Sequence, residues 1–272
     1  MNLLRRSRTW VLTLGVVITA SSGDAQQKPF QPEVGQPGKD VVWVPTPAET
    51  VEKMLDLAQV TSQDFVMDLG SGDGRNIIAA AKRGAQALGV EYNPDMVELS
   101  QRAAAEAGVA GNAQFVQGDM YTADISKANV LALFLLPGNL VQLRSKFLEL
   151  RPGSRIVLNT FSIEDWTPDE TVQVEDCSNW CTVLLYVVPA NVNGTWRLPQ
   201  GELRLTQNYQ MVSGTLTAGG QSTSVTGKLR GDQLTLTAGT QEYSGVVRGN
   251  AIEGTLRASS GTTPWRAARA AN

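Results

Sequence analysis

Residues 68–74 (Asp-Leu-Gly-Ser-Gly-Asp-Gly) form a glycine-rich segment with two carboxylates, directly after a short apolar run. Glycines let the backbone come close to a ligand, and the first turn of a following helix offers unpaired N–H groups. A segment of this kind can therefore hold a nucleotide-type cofactor. Its spacing departs from the G-x-G-x-x-G dinucleotide pattern, so the segment alone is a weak signal. The candidate cofactor-binding residues in it are Asp68, Gly70, Ser71, Gly72, Asp73 and Gly74.

Two further carboxylates follow the next two predicted strands. Glu91 lies 23 residues after Asp68, where an acidic side chain can accept hydrogen bonds from both ribose hydroxyls. Asp119 follows the third strand, where the amino group of an adenine could be recognised. A single carboxylate at a strand end is as readily an ordinary solvated side chain. Three of them at successive strand ends, beside a glycine turn, predict a ligand site at the carboxyl edge of a parallel sheet.

Composition narrows the chemistry available to this site. The chain of 272 residues has no histidine and two cysteines. Ser-His-Asp and Cys-His catalysis are thereby excluded, as are zinc sites built from histidine or from four cysteines. We therefore expect no metal, and a cofactor that brings its own reactive group. The net charge of −3 and the isoelectric point near 5.2 argue against nucleic acid as a partner, because phosphate binding requires a basic face.

Apolar runs and helical patterns alternate along residues 48–159. Strands that alternate with helices imply right-handed crossovers and a parallel sheet with helices on both faces. The predicted fold class is α/β, with a Rossmann-like doubly wound sheet. The predicted strands are 65–69, 85–91, 113–117, 130–136 and 155–159, and the predicted helices are 48–58, 76–82, 94–107 and 140–150.

Two β-rich runs, 171–176 and 182–188, flank Cys177 and Cys181. They predict an antiparallel hairpin that closes the sheet, with the two cysteines facing each other across its tip. In an oxidising compartment these cysteines could form a disulfide, and two unpaired thiols are the alternative.

Residues 191–269 show no helical periodicity, and glycine turns recur at 219–220, 231–232 and 249–250. The pattern predicts a separate all-β antiparallel meander of about seven or eight short strands, closed into a small barrel or sandwich so that its edges are covered. Its large aromatic residues are expected in the core, with a binding face for a carbohydrate, lipid or protein as the alternative. These residues are Trp196, Tyr209, Tyr243 and Trp265.

The N-terminus has the pattern of an export signal. Three arginines precede an apolar stretch from Trp10 to Ala20, and the small residues Gly23 and Ala25 occupy the positions that a signal peptidase reads. A predominantly apolar stretch of eleven residues is short for a membrane span, which needs roughly 20. We expect export to the periplasm, with a membrane anchor or cytoplasmic retention as alternatives.

These patterns divide the chain into four parts. A signal peptide at 1–25 is followed by a flexible lead-in at 26–40, which is rich in Gln, Pro and Gly. A cofactor-binding domain at 41–189 precedes a β-rich accessory domain at 190–270.

Several motifs between residues 41 and 166 match a known family as a set. Residues 41–166 resemble class I S-adenosylmethionine (SAM) dependent methyltransferases, and within these the non-SET protein lysine methyltransferases that modify mitochondrial inner-membrane proteins, with their bacterial relatives. The Pro-Thr-Pro segment at 45–47 is unusual among methyltransferases. The motifs are 43–47 (Trp-Val-Pro-Thr-Pro), the glycine turn, 89–94 (Gly-Val-Glu-Tyr-Asn-Pro), 135–139 (Leu-Leu-Pro-Gly-Asn), 150–157 and 161–166.

The resemblance implies SAM as the cofactor and assigns roles to particular residues. Asp68, Gly70, Gly72, Glu91 and Asp119 would hold SAM, and the loops 45–47 and 136–139 would flank its transferable methyl group. Thr46 and Asn139 are then the candidate catalytic residues, lining the channel for the methyl acceptor. The alternative for both is that they shape turns, as Asn and residues beside Pro commonly do.

A sulfonium methyl group is already activated, so catalysis depends mainly on positioning a neutral nucleophile in line with it and excluding water. A chain without histidine can do this. The resemblance implies N-methylation of lysine on a protein acceptor, with a membrane involved only through an uncleaved signal or a membrane-protein acceptor. The alternatives are a small-molecule acceptor, or an exported binding protein on a degenerate methyltransferase scaffold.

Overall fold

The structure, a computed structural model, describes residues 30–270. The predicted signal peptide at 1–25 lies outside these residues. Helices and strands alternate in the first part of the described chain, and strands alone follow. The first elements are α1 (Ala48–Leu57), β1 (Phe65–Leu69), α2 (Arg75–Lys82), β2 (Gln86–Glu91), α3 (Pro94–Glu106), β3 (Ala113–Gln117), β4 (Val130–Leu133), α4 (Pro137–Leu148), β5 (Arg155–Asn159), β6 (Glu170–Gln173) and β7 (Thr182–Val187).

These strands form one seven-stranded sheet in the order β3-β2-β1-β4-β5-β7-β6. The first five run parallel, whereas β7 is antiparallel to both β5 and β6. The structure therefore confirms the predicted Rossmann-like sheet and its closing antiparallel hairpin. Because the central strands are parallel, the residues that follow β1, β2, β3, β4 and β5 meet at one edge.

Helices cover both faces of the sheet. Ile77, Ala80 and Ala81 recur at helical spacing on α2 and are buried with Met54 of α1 in one core cluster. Leu140, Leu143 and Phe147 of α4 are buried in a second cluster on the opposite face. All four residues of β4 are buried, as expected for a strand covered on both sides.

The prediction was wrong at the boundary between β4 and α4. The strand ends at Leu133 rather than at residue 136, and the helix begins at Pro137 rather than at residue 140. Proline suits the first helical position, because its φ is already helical and no N–H is required there. The residue before proline is driven to extended backbone, and Leu136 has φ −68° and ψ 155°. Residues 134–136 are therefore a loop at the carboxyl edge.

The remaining strands form a closed antiparallel barrel in which β8 pairs with both β9 and β15. Eight strands and closure confirm the predicted meander, and the structure selects the barrel over the sandwich. Burial alternates along the strands, as in β12, where every second residue faces the interior. The strands are β8 (Gly194–Leu198), β9 (Gly201–Asn208), β10 (Met211–Ala218), β11 (Gln221–Arg230), β12 (Gln233–Ala238), β13 (Gln241–Arg248), β14 (Ala251–Ala258) and β15 (Gly261–Arg269).

The predicted aromatic core is confirmed for Trp196, Tyr243 and Trp265, which are buried in the barrel. Tyr209 lies elsewhere, because its ring stacks on Trp166 of the sheet at a centroid distance of 5.2 Å and an interplanar angle of 6°. Tyr209 thus packs between the two parts of the chain instead of filling the barrel.

The barrel is attached to the segment that follows β5. Besides the stack of Tyr209 on Trp166, the side chain of Gln210 donates a hydrogen bond of 2.6 Å to the carbonyl of Thr167. Lys228 of β11 lies 3.2 Å from the buried carboxylate of Asp169. Within residues 30–270, no helix combines the length and apolar character needed to cross a membrane.

Candidate functional site

The glycine turn connects β1 to α2 at the carboxyl edge. Gly70, Gly72 and Gly74 have φ angles of 72°, 55° and 79°, which are left-handed values that favour glycine. The backbone N–H groups of Gly70 and Ser71 both donate to the carbonyl of Val90, at 2.8 and 3.1 Å. The turn is thereby held against the end of β2.

Glu91 at the end of β2 fixes the turn through its carboxylate. Oε2 accepts a hydrogen bond of 2.9 Å from the N–H of Gly72, and Oε1 accepts one of 2.9 Å from the N–H of Asn93. Both oxygens keep lone pairs for further donors, because a carboxylate oxygen accepts more than one bond. Glu91, which is predicted to accept hydrogen bonds from ribose hydroxyls, thus also contacts the glycine turn directly.

Asp68, the last acidic residue of β1, is almost completely buried, with 4% of its surface exposed. Its Oδ2 accepts a hydrogen bond of 3.0 Å from Asn76, whose amide also donates to the carbonyl of Ala132 at 3.2 Å. Burial raises the pKa of Asp68 well above its usual range; the bond from Asn76 opposes this increase, and the nearby negative charge of Glu91 adds to it. A cation bound nearby would stabilise the ionised form.

Asp119 follows β3 and carries its own counter-ion. Its Oδ1 accepts a hydrogen bond of 2.8 Å from the N–H of Tyr121, and its Oδ2 accepts one of 2.6 Å from Lys39 Nζ. The bond from Lys39 is the largest cause of a lowered pKa for the Asp119 carboxyl, and the same bond raises the pKa of Lys39. The Lys39 ammonium also lies 5.1 Å from the ring centroid of Tyr92.

Residues 36–44 cross this edge as a strap, with a β-bridge between Pro37 and Val42. Trp43 of the strap packs on the glycine turn so closely that a Cβ at Gly72 would lie 2.8 Å from its indole nitrogen. The prediction of a flexible lead-in at 26–40 did not anticipate these contacts. The sequence offered one signal for them, the apolar run Val-Val-Trp-Val at 41–44 directly after a segment rich in Gln, Pro and Gly.

The strap, the turn and the strand ends line an open cleft. Four of the predicted cofactor residues line it, namely Gly70, Gly72, Glu91 and Asp119. Sequence reasoning missed other lining side chains, including Lys39, Trp43, Tyr92, Met96 and Phe134.

The other predicted cofactor residues do not line the cleft. Ser71 is buried, Asp73 forms an ion pair with Arg75 at 2.5 Å, and Gly74 caps the N-terminus of α2. Asp68, two residues before Gly70, does not line the cleft either. Direct cofactor contacts for all eight residues remain predictions.

The two candidate catalytic residues, Thr46 and Asn139, are buried at 3% and 6% exposure. The carbonyl of Thr46 accepts a hydrogen bond of 2.6 Å from Arg75, and the amide of Asn139 donates one of 2.7 Å to the hydroxyl of Tyr121. Asn139 Oδ1 has no hydrogen-bond partner among the described residues. Neither side chain is among the residues that line the cleft in the described part of the chain. Their role in an acceptor channel remains a prediction.

The tip of the closing hairpin contains a disulfide between Cys177 and Cys181. The structure therefore has the disulfide and not the two unpaired thiols that were the alternative. In the described part of the chain, no group of three or more His, Cys, Asp or Glu side chains is placed to hold a metal ion.

Comparison with known proteins supplies the family. The pattern of the ANTKMT methyltransferase domain matches residues 68–170. A protein-lysine N-methyltransferase of Saccharolobus islandicus is 42% identical over 151 residues, which are 54% of this chain and 94% of that protein. A human lysine N-methyltransferase named for ATP synthase is 32% identical over 162 residues, 54% of this chain and 69% of that protein. This chain spans about half, 52%, of the corresponding mouse protein.

A solved structure is similar over the same share of the chain. It is the crystal structure of an RNA methyltransferase from Salinibacter ruber in complex with S-adenosyl-L-homocysteine. It is 43% identical, with a TM-score of 0.52, and covers 55% of this chain and 96% of that one.

Proposed function

Because this chain belongs to the protein-lysine N-methyltransferase family, we propose that it transfers the methyl group of SAM to the ε-amine of a lysine on a protein acceptor. The observation that supports this most directly is the cleft, where Gly70, Gly72, Glu91 and Asp119 meet at the carboxyl edge of the parallel sheet. Ligands of open α/β sheets bind at this edge.

The residues of the cleft fit SAM. At Gly72 any side chain would collide with Trp43, so glycine is what lets the strap close against the turn and shape the cleft. The Glu91 carboxylate is held by two backbone N–H groups in an orientation suited to ribose hydroxyls. The Asp119 carboxylate, near the ring of Tyr92, suits the amino group of adenine.

Bound SAM would supply an activated methyl group. Its transfer would form a new N–C bond at the lysine nitrogen and break the C–S bond, whose electrons would leave with S-adenosylhomocysteine. The lysine nitrogen would release a proton. The protein contributes orientation and exclusion of water. Glu91 and Asp119 would fix the adenosyl end, and the buried Asp68 would favour the cationic end.

The names of the similar proteins suggest two classes of acceptor, protein and RNA. The distribution of acidic and basic residues bears on the choice between them. Residues 156–196 contain six Asp or Glu residues and neither Lys nor Arg. This segment begins within β5 and includes the loop after β5 and the disulfide loop, which lie at the carboxyl edge. An acidic surface repels phosphates and attracts lysine. The charge therefore favours a protein over RNA, in line with relatives named for ATP synthase and for adenine nucleotide translocase.

Calorimetric titration with SAM and with S-adenosylhomocysteine tests the proposed cofactor site. We expect both to bind the wild-type protein, and Glu91→Ala to weaken both by at least about tenfold, because it removes acceptors for charged or polar donors. Glu98→Ala, an exposed carboxylate on α3, is the matched control and should bind like the wild type. A folded wild-type protein that bound neither ligand would exclude the proposed function.

We also propose that residues 1–25 direct export and that the mature protein acts in the periplasm. The arginines, the apolar stretch and the small residues before Gln26 support this, and a disulfide is typical of oxidising compartments. Mass spectrometry of the protein from its native host should find Gln26 as the first residue. An intact N-terminus in the cytoplasmic fraction would contradict export.

A further inference from the structure

Three aromatic side chains from separate parts of the chain pack together at the carboxyl edge of the sheet. Phe134 follows β4, Phe161 follows β5, and Trp180 lies in the disulfide loop. Their ring centroids are 6.1 Å apart for Phe134 and Phe161, 5.5 Å for Phe134 and Trp180, and 5.9 Å for Phe161 and Trp180. We call these three residues the aromatic wall.

The aromatic wall is continuous with the cleft. Phe134 lines the cleft together with Gly70 and Asp119, and it contacts both other rings of the wall. It also belongs to the loop 134–136 that leads into α4. The wall therefore extends from the cofactor cleft outward, to the side from which an acceptor would come.

The wall is exposed although it is held in place. Trp180 is 39% exposed, which is unusual for the largest apolar side chain. Its loop is closed by the disulfide between Cys177 and Cys181, and the buried Thr50 hydroxyl of α1 donates to the carbonyl of Trp180 at 3.4 Å. A fixed, partly exposed aromatic surface is characteristic of binding sites rather than of loose loops.

Two members of the wall belong to an acidic part of the chain. Phe161 and Trp180 lie within residues 156–196, the segment with six acidic and no basic residues. Of these acids, Asp165 and Asp169 are paired with Arg144 and Lys228. Glu175 and Asp176 directly precede the disulfide loop. Aromatic faces in a negative field attract cations.

We propose that the aromatic wall binds the side chain of the acceptor lysine, an inference that rests on the proposed function. The apolar stem of the lysine packs on the rings, and its nitrogen is steered by the acidic segment and the ring faces toward the cleft. Attraction of a cation to a ring face needs no N–H donor, so the wall accepts methylated as well as unmodified ammonium groups. The same site can therefore hold a lysine through successive methylations.

Titration with a small cation tests the wall without requiring turnover. The probe is Nα-acetyl-Nε-trimethyl-lysine amide, added to the full chain saturated with S-adenosylhomocysteine, and the readout is the indole N–H spectrum of its six tryptophans. We expect a saturable shift of the Trp180 signal, which is identified by its absence in Trp180→Phe. A neutral isostere, with carbon in place of the ammonium nitrogen, should bind at least about fivefold more weakly.

Variants separate the wall from a general effect on folding. Trp180→Leu should weaken probe binding at least about fivefold, whereas Trp180→Phe keeps an aromatic face and most of the affinity. Leu148→Ala, an exposed apolar side chain on α4, is the matched control and should bind normally. Cysteine-to-serine substitution at both Cys177 and Cys181 should weaken probe binding while S-adenosylhomocysteine affinity stays within about twofold of wild type.

Equal affinity for the probe and its neutral isostere, or a Trp180 signal that does not respond, would overturn the inference. The proposed function is read separately, as the formation of methyl-lysine from SAM. If methyl-lysine forms and Trp180 does not respond, only the wall is refuted. If Trp180 responds and the protein never methylates lysine, the proposed function fails by itself.

Discussion

Asp68 is the residue whose burial has the clearest energetic consequence. Its pKa is raised in the folded protein, mainly by burial, so the folded state holds a proton at pH values where the unfolded chain, with a value of 3.8, has lost it. The stabilising contribution of the neutral form is complete below pH 3.8 and is lost as the pH rises through the folded value. At neutral pH the raised pKa of Asp68 therefore opposes folding.

This reasoning predicts opposite effects of Asp68→Asn on stability and on binding. The amide is neutral at every pH, so the variant should melt at a higher temperature than the wild type at pH 7, and the difference should shrink as the pH falls toward 3.8. SAM affinity should fall, because the favourable charge for a cation is gone. Thermal melts across pH, with calorimetry at pH 7, measure both effects; a less stable variant at pH 7 would contradict the sign.

Lys39 is predicted to compete with the cofactor. Its ammonium bonds the Asp119 oxygen that an adenine amino group would use, and its positive charge disfavours a cationic ligand. Lys39→Met should therefore tighten SAM binding by about threefold with little change in stability, since the pair is exposed to solvent. Lys39→Arg is the charge-preserving control. Weaker binding of SAM by the methionine variant would show that Lys39 assists the ligand instead.

At the scale of elements, the turn between β1 and α2 depends on glycine for two separable reasons. Gly72 has a left-handed φ of 55°, and a Cβ there would also collide with Trp43. Gly108, after α3, has a φ of 72° with open space around it. Gly72→Ala and Gly108→Ala should both lose about 1 kcal/mol of stability through backbone strain. Only Gly72→Ala should also reduce SAM affinity, by at least about tenfold, as measured by denaturation and calorimetry.

Wild-type SAM affinity in both alanine variants would contradict the close approach of Trp43 to the turn. A loss of affinity in both would point to strain alone, transmitted from either site. The pair therefore separates the shape of the cleft from the stability of the chain.

The elements themselves were largely predictable from the sequence. The strands 65–69, 113–117 and 155–159 have the predicted bounds, because short apolar runs between turn residues are local signals. The boundary between β4 and α4 was misplaced because the apolar run continues through the loop, and hydrophobicity alone does not show where a strand ends. Pro137 was the better signal.

What the sequence could not show are contacts between distant residues. Lys39 meets Asp119 across 80 positions, and the aromatic wall combines residues 134, 161 and 180. Neither the strap nor the wall has a local pattern, since both arise when the sheet brings separate strand ends to one edge. The carboxylates Glu91 and Asp119 were predictable because their positions follow strands that can be read from the sequence.

At the scale of the whole molecule, the barrel packs beside the turn that precedes β5, where Gly231 lies against Gly153. Its contacts through Tyr209, Gln210 and Lys228 fall on residues 166–169, directly after the segment that contains Phe161. The loop that carries one ring of the aromatic wall is thus anchored at its far end by the barrel.

The central claim, that this molecule methylates lysine on protein, is tested most directly by amino-acid analysis after reaction with methyl-labelled SAM. Extract of the native host, depleted of the protein, supplies the acceptors. Wild-type protein should place label in methyl-lysine, and Glu91→Ala should place at least about tenfold less. Label recovered in RNA nucleosides and absent from lysine would contradict the account.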